Sequence, residues 1–188
     1  MKIAITGHTK GIGKACADIF NEHEVLGFSR SNGFDIKQPD AIIESSNDCD
    51  VFINNACEGD YQLKLFKHRY ITWRDDSEKT IVNLVSKAKY LNDKDPLRGG
   101  SNPYYLNKKF LDEGARRYLF NPSRKCRLIN ISPGYVLTDG AKDNIKMFNH
   151  PHITAEQCAE YIKWAVDQPI EIYNLDLWET RKKQKWRR

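Results

Sequence analysis

The sequence predicts a single-domain α/β protein, a doubly wound parallel sheet in three α/β/α layers, on three observations. Short apolar runs alternate with helix-spaced stretches from the N-terminus onward, the pattern of successive βαβ units. A glycine-rich turn, Gly7-His8-Thr9-Lys10-Gly11-Ile12-Gly13, joins the first such run to the first helix. A polar turn, Asn54-Asn55-Ala56, closes the apolar run that begins at Asp50. At 188 residues the chain suits one domain with a sizeable core. Residues 1–178 are assigned to a Rossmann-like domain and 179–188 to a basic tail.

Lys2-Ile3-Ala4-Ile5-Thr6 reads as the first strand, and residues 14–20 as a helix with Ile12, Cys16, Ile19 and Phe20 on one side. A strand, a glycine turn and a helix start make a cradle for a dinucleotide pyrophosphate. Glycines let the backbone approach the phosphates, and free N–H groups at the positive end of the helix dipole face the anion. Gly7, Thr9, Lys10, Gly11, Ile12 and Gly13 are the cradle's candidates, although G-x-x-x-G-x-G differs from the common G-x-G-x-x-G spacing. Glu24 to Phe28 is the second strand, and it ends at Ser29-Arg30. An acid at that strand end would accept from the 2′-hydroxyl of NAD, whereas a cation and hydroxyls suit the 2′-phosphate of NADP. Ser29, Arg30 and Lys10, with no acid at the strand end, predict NADP(H) as the preferred cofactor and NAD(H) as the alternative. Phe34-Asp35-Ile36 follows, then a helix over 39–45 and a buried strand over 50–54.

In the second half, Thr80 to Ser86 is a β-rich run ending in a hydroxyl, and a long helix is predicted from Tyr104 through Tyr118. Tyr104 and Lys108, four apart, share one helix face. So do Tyr105 and Lys109. Asn107 before Lys108, with Phe110-Leu111 after it, favours the first register and leaves Tyr105 as a packing or pocket tyrosine. Arg127 to Ser132 is another strand, running into Pro133-Gly134-Tyr135-Val136-Leu137-Thr138. A helix from about Thr154, apolar at Cys158, Ile162, Ala165 and Val166, precedes a last strand over 171–177.

Taken together, Thr6-Gly7-x-x-x-Gly11-Ile12-Gly13, Asp35-Ile36, Asn54-Asn55-Ala56, Ser86, Tyr104-x-x-x-Lys108 and Pro133-Gly134-x-Val136-x-Thr138 resemble the short-chain dehydrogenase/reductase family over residues 1–175. The resemblance implies a hydride transfer between a nicotinamide cofactor and a small carbonyl or alcohol. Tyr104 would be the proton donor, and Lys108 would lower its pKa and hold the nicotinamide ribose. Ser86 would orient the substrate oxygen. Asp35 and Ile36 would lie against the adenine, and Asn54, Asn55 and Ala56 would steady the central strand and line the cofactor. Pro133, Gly134, Val136 and Thr138 would hold the nicotinamide amide. The chain departs from the family in several ways. The interval from Asn55 to Ser86 is short, which trims the helix expected over about 61–73. Residues 57–82 lack the helix asparagine that many members use to anchor a relay water, with Gln62 or His68 as substitutes. The Ser86–Tyr104 interval is long, with a polar loop inserted over 93–103, and the lid after Thr138 is abbreviated. The missing asparagine and the abbreviated lid motivate an alternative, a non-catalytic NADP(H)-binding sensor or scaffold of the same fold.

Composition narrows the partners. No apolar run approaches the roughly 20 residues that span a bilayer, and no signal peptide is expected at the N-terminus. The five cysteines are scattered without a C-x-x-C pair, as in a reducing, cytoplasmic compartment. The histidines show no metal-ligand spacing, and none is assigned to a metal. The net charge of +5 arises in residues 181–188, which hold six of the 30 basic residues. The remainder, 24 basic against 25 acidic, offers no nucleic-acid face. A homodimer or homotetramer is expected through the helices near 60–73 and 104–118.

Overall fold

The computed structural model describes residues 1–90, 103–141 and 151–179. Residues 93–102 of the predicted inserted loop, the middle of the abbreviated lid and residues 180–188 of the basic tail lie outside the described residues, and Pro103, expected in the loop, instead opens a helix. Six parallel strands form one sheet in the order β2-β1-β3-β4-β5-β8. They are β1 (Lys2–Thr6), β2 (Glu24–Phe28), β3 (Val51–Asn54), β4 (Thr80–Leu84), β5 (Arg127–Pro133) and β8 (Asn174–Leu177). A small parallel pair, β6 (Val136–Leu137) with β7 (Ile153–Thr154), ties the two ends of the segment after β5. The helices are α1 (Gly11–Ile19), α2 (Pro39–Ser45), α3 (Tyr61–Trp73), α4 (Pro103–Leu119) and α5 (Ala155–Asp167).

Strand alternation divides the core into two layers, because successive side chains point to opposite faces. Ile3, Ile5, Val51, Ile53, Val82, Ile129 and Ile131 face α1 and α5, where Cys16, Phe20, Ala159 and Ile162 complete the layer. Ala4, Phe52, Ile81 and Leu128 face the other way, toward Ile42, Leu65, Phe66 and Leu111 of α2, α3 and α4. The sequence-predicted doubly wound sheet is the observed architecture.

Local chemistry sets the helix ends. Pro39, whose fixed φ suits a first helical position, starts α2 with Asp40 in its first turn. Thr154 and Gln157 form a capping box at the start of α5. The predicted last strand is shortened to Asn174–Leu177. Glu171 is drawn away by Arg124, which reaches its two carboxylate oxygens at 2.7 and 2.9 Å, and Arg127 takes the Ile170 carbonyl.

Among the described residues, one cation is wholly inside. Arg69 of α3 is 0% exposed, stacked 5.0 Å from the Phe52 ring and 4.3 Å from that of Trp73. Its guanidinium donates to the Ile43 carbonyl at 2.7 Å and to the Ser46 hydroxyl, so it closes the C-terminal end of α2 against α3. Burial holds it below the ordinary guanidinium range, at about 10. Replacing Arg69 with alanine removes a packed stem and orphans the helix-end carbonyl. Arg69→Ala is therefore expected to lose about 3 kcal/mol of stability in urea unfolding, and an unchanged midpoint would contradict this account.

Candidate cofactor and active site

β1 turns to β2 on one side and borders β3 on the other, so the sheet's switch point lies between β1 and β3. Crevices for ligands form there, beyond the carboxyl ends of the strands. The two strand ends are bonded together. The buried Thr6 hydroxyl accepts from the backbone N–H groups of Asn55 at 2.9 Å and Ala56 at 3.0 Å, and Asn55 Nδ2 donates to the Thr6 carbonyl at 2.9 Å. Gly7 and Gly11 have φ of 70° and 55°, a region that side chains disfavour. Gly13 is required by proximity: a Cβ there would lie 2.2 Å from the Gly7 carbonyl oxygen and 2.6 Å from Asn55 Nδ2.

A cavity of about 790 Å³ opens on this junction. Gly7, Thr9, Lys10, Gly11 and Ile12 form its wall at the start of α1. Phe28, Ser29, Arg30 and Ser31, at the end of β2, form one end together with Phe34, Asp35 and Ile36. Asn55, Ala56, Cys57 and Glu58 line the side after β3, and Tyr104, Thr138, Asp139 and Gly140 line the remainder. Ser29 is ordered locally, its backbone N–H donating to Asn32 Oδ1 at 2.8 Å and its hydroxyl lying 2.8 Å from that of Ser31. Arg30 is exposed, 3.9 Å from Glu58, while Lys37 makes the closer ion pair with Glu58.

Beyond the Tyr104 end lie Ser86, 8% exposed, and Lys108, 3% exposed. Lys108 Nζ stands 5.6 Å from the centre of the Tyr104 ring and donates to Gln62 Oε1 at 2.8 Å and to the Leu84 carbonyl at 2.6 Å. Burial raises the Tyr104 phenol above its ordinary value, against a smaller lowering by the nearby Ser86 hydroxyl. Burial likewise lowers Lys108, whose partners Gln62 and Leu84 are neutral. Burial thus disfavours the charged form of each group, the Tyr104 phenolate and the Lys108 ammonium. An amine depressed by its own burial carries less charge with which to stabilise a phenolate.

Other sequence candidates sit behind the cavity wall rather than on it. Gly13 packs α1 against β1. Asn54 is fully buried, bonded to Gln62 and Asn83. Val136 is in the core. Pro133 ends β5, and Gly134 donates its N–H to the Leu177 carbonyl at 2.7 Å. The alternative register separates: Lys109 is exposed and lines a different depression with Lys89 and Arg116. Of the two substitutes for the missing helix asparagine, Gln62 reaches Lys108, whereas His68 is 3.3 Å from Asp40 and half exposed. Sequence reasoning missed Cys57 and Glu58 on the wall. Their one signal was position, directly after Asn55-Ala56.

No protein-family model matches this sequence, and no curated protein sequence does either. The fold has many solved counterparts. The chain is similar to "The Closed form of serine dehydrogenase complexed with NADP+" (TM-score 0.73, 17% identity, 94% of each chain covered). It is also similar to "4-hydroxyisoleucine dehydrogenase complexed with NADH and succinate" (0.75, 16% identity, 94% of this chain and 97% of that one). A third is the 3-alpha-hydroxysteroid dehydrogenase from Pseudomonas sp. B-0831 complexed with NADH (0.71, 16% identity, 95% of each chain). The protein has the Rossmann-type fold of the short-chain dehydrogenases/reductases. No described helix is long and apolar enough to cross a membrane.

Because the Gly13 contact is with backbone, it cannot be relieved by a side-chain movement. Gly13→Ala is expected to lower the thermal midpoint by several degrees, the consequence of about 2 kcal/mol of overpacking. A variant with a wild-type midpoint would refute the close-packing role.

Proposed function

We propose that the protein is an NADP-dependent oxidoreductase that transfers a hydride between the cofactor and a small carbonyl or alcohol substrate. One observation carries the reading: one cavity is lined by the glycine cradle, by Ser29-Arg30 at the end of β2 and by Tyr104 of α4. The cradle fits a dinucleotide. Its glycines leave no room for a Cβ at Gly13, the N-terminus of α1 opens with no acidic residue in its first turn, and Lys10 lies beside it. Ser29, Ser31 and Arg30 are suited to a 2′-phosphate, and Asp35 and Ile36 to one face of the adenine. The dehydrogenases of similar fold complexed with NADP+ or NADH support a nicotinamide cofactor.

When bound, the cofactor supplies or takes up the hydride. The chain's own residues manage the proton and the geometry. Ser86 and Tyr104 would hold the substrate oxygen between two hydroxyls. The raised pKa of Tyr104 keeps it protonated at neutral pH, the form that donates to a developing alkoxide. Lys108 would contact the nicotinamide ribose from behind Tyr104. Thr138, with backbone groups near Pro133, Gly134 and Val136, would bind the carboxamide. Cytoplasmic action as a homodimer or homotetramer is part of the same proposal, with Ile71 of α3 and Leu106 and Phe110 of α4 presenting exposed apolar surface.

Titration with NADPH and NADH, followed by assay against a panel of aldehydes and ketones, tests this reading. NADPH is expected to bind at least tenfold more tightly than NADH, and Arg30→Ala to erase most of the difference. Tyr104→Phe is expected to retain NADPH binding while lowering kcat by about 10²-fold or more. Tight binding without turnover on any substrate, and no further change in Tyr104→Phe, would replace the enzyme reading with that of a binding protein.

A further inference from the structure

Lys108 is held by a polar structure that runs through the sheet. Asn54, Asn83 and Asn130 occupy one register row across β3, β4 and β5. All three are 0% exposed and lie on the face covered by α3 and α4. Asn54 Nδ2 donates to Asn83 Oδ1 at 3.0 Å, and Asn83 Nδ2 to Asn130 Oδ1 at 3.1 Å. Asn130 Nδ2 donates to Asp112 Oδ1 at 3.2 Å, one helical turn beyond Lys108 on α4. At its other end the row meets Gln62 of α3. Asn54 Nδ2 donates to the Gln62 carbonyl at 3.0 Å, and Gln62 Nε2 returns a bond to the Asn54 carbonyl at 2.7 Å.

Gln62 Nε2 also donates to the Leu84 carbonyl at 3.1 Å, so both its N–H groups are taken by backbone acceptors. That fixes the amide's orientation. Rotated by half a turn, its oxygen would face two carbonyl oxygens and its NH₂ would face an ammonium. Gln62 Oε1 is therefore committed to Lys108. With the Leu84 carbonyl it occupies two of the three Lys108 N–H groups. The third is left for a further acceptor, and Nζ lies 5.6 Å from the centre of the ring of Tyr104, which lines the cavity.

We propose that Gln62 is the positioning residue for Lys108: its clamped amide aims the remaining Lys108 N–H at the cavity beside Tyr104. The inference rests on the reading of Lys108 as a cofactor- and tyrosine-facing group, and it supplies what that reading lacks, the means of holding the amine. A neutral acceptor suits this purpose. It orients the ammonium without fixing its charge, whereas a carboxylate would lock the amine protonated. Cys57 and Tyr104 also face Lys108, and Asp112 on the next turn is already engaged by Lys89 at 3.0 Å and by Arg116 at 2.9 Å.

Two variants of similar volume separate positioning from packing. Gln62→Met removes the acceptor, so the charged amine loses stabilisation and Lys108 should titrate lower. Gln62→Glu places a carboxylate beside it, so Lys108 should titrate higher. With [¹³C]lysine-labelled protein free of cofactor, and the Lys108 resonance assigned through Lys108→Arg, shifts of about one pH unit in opposite directions are expected. NADPH affinity at neutral pH should fall at least fivefold in Gln62→Met. Shifts in the same direction, no shift in either variant, unchanged NADPH affinity in Gln62→Met despite the shifts, or failure of both variants to fold would overturn the proposal and leave Gln62 a packing residue. The resonance test needs no cofactor. Opposite shifts in a wild-type background that binds no NADPH would therefore count against the oxidoreductase reading and leave the hold on Lys108 intact.

Discussion

The cavity exists because two strand ends are tied to each other before either chain segment leaves the sheet. Thr6, at the last position of β1, takes two backbone N–H groups from the turn after β3, and Asn55 answers with its own amide. A buried hydroxyl with those partners costs little, whereas either set of groups left unpaired would cost about 1–3 kcal/mol. The same junction forces glycine at position 13, since Asn55 Nδ2 and the Gly7 carbonyl occupy the space of a side chain there. The glycine turn, the Asn55 turn and the first turn of α1 therefore form one rigid unit.

The amide row extends that constraint across the sheet. Asn54, Asn83 and Asn130 are each fully buried, and their hydrogen bonds form only if β3, β4 and β5 hold their observed register. A slip by one residue would send every side chain to the opposite face, driving three amides into the apolar layer beneath α1 and α5. A slip by two would keep the face but separate the amides. The row thus penalises both errors, and it carries Gln62, Lys108 and Asp112 with it. The placement of the lysine is inherited from strand register more than from the helix on which it sits.

Much of this could be read from the sequence, and the part that could not has a physical reason. Ile3-Ala4-Ile5 and residues 51–53 announce buried strands by apolarity. Gly7, Gly11 and Gly13 announce a turn that no other residue fits, and the order of the later turns makes the fold legible. The amide row was hidden because its members lie 29 and 47 residues apart, and only register brings them together. Asn83 and Asn130 look like polar interruptions in apolar runs when each is read alone. Gln62 was legible as a position but not as a direct partner of Lys108, since a lone glutamine on a helix has no local signature. The electrostatic environment of Tyr104 is beyond local spacing for a related reason. A Tyr-x-x-x-Lys spacing gives proximity, but the sign of a pKa shift depends on burial, and burial here is set by the surrounding layers.

Charge at the opposite end of the cavity follows the reverse logic. Glu58 could have cancelled Arg30, but its close partner is Lys37, and Arg30 stands 3.9 Å away with its side chain 75% exposed. Exposed ion pairs of that kind contribute roughly 0–1 kcal/mol, so Arg30 can leave Glu58 for a stronger anion at little cost. A phosphate offers more charge than a carboxylate and accepts the two parallel bonds of a guanidinium. Lys37 meanwhile keeps Glu58 from repelling that anion. The proposed preference for a 2′-phosphate thus rests on the division of two cations over one acid, an arrangement that leaves the more exposed cation available.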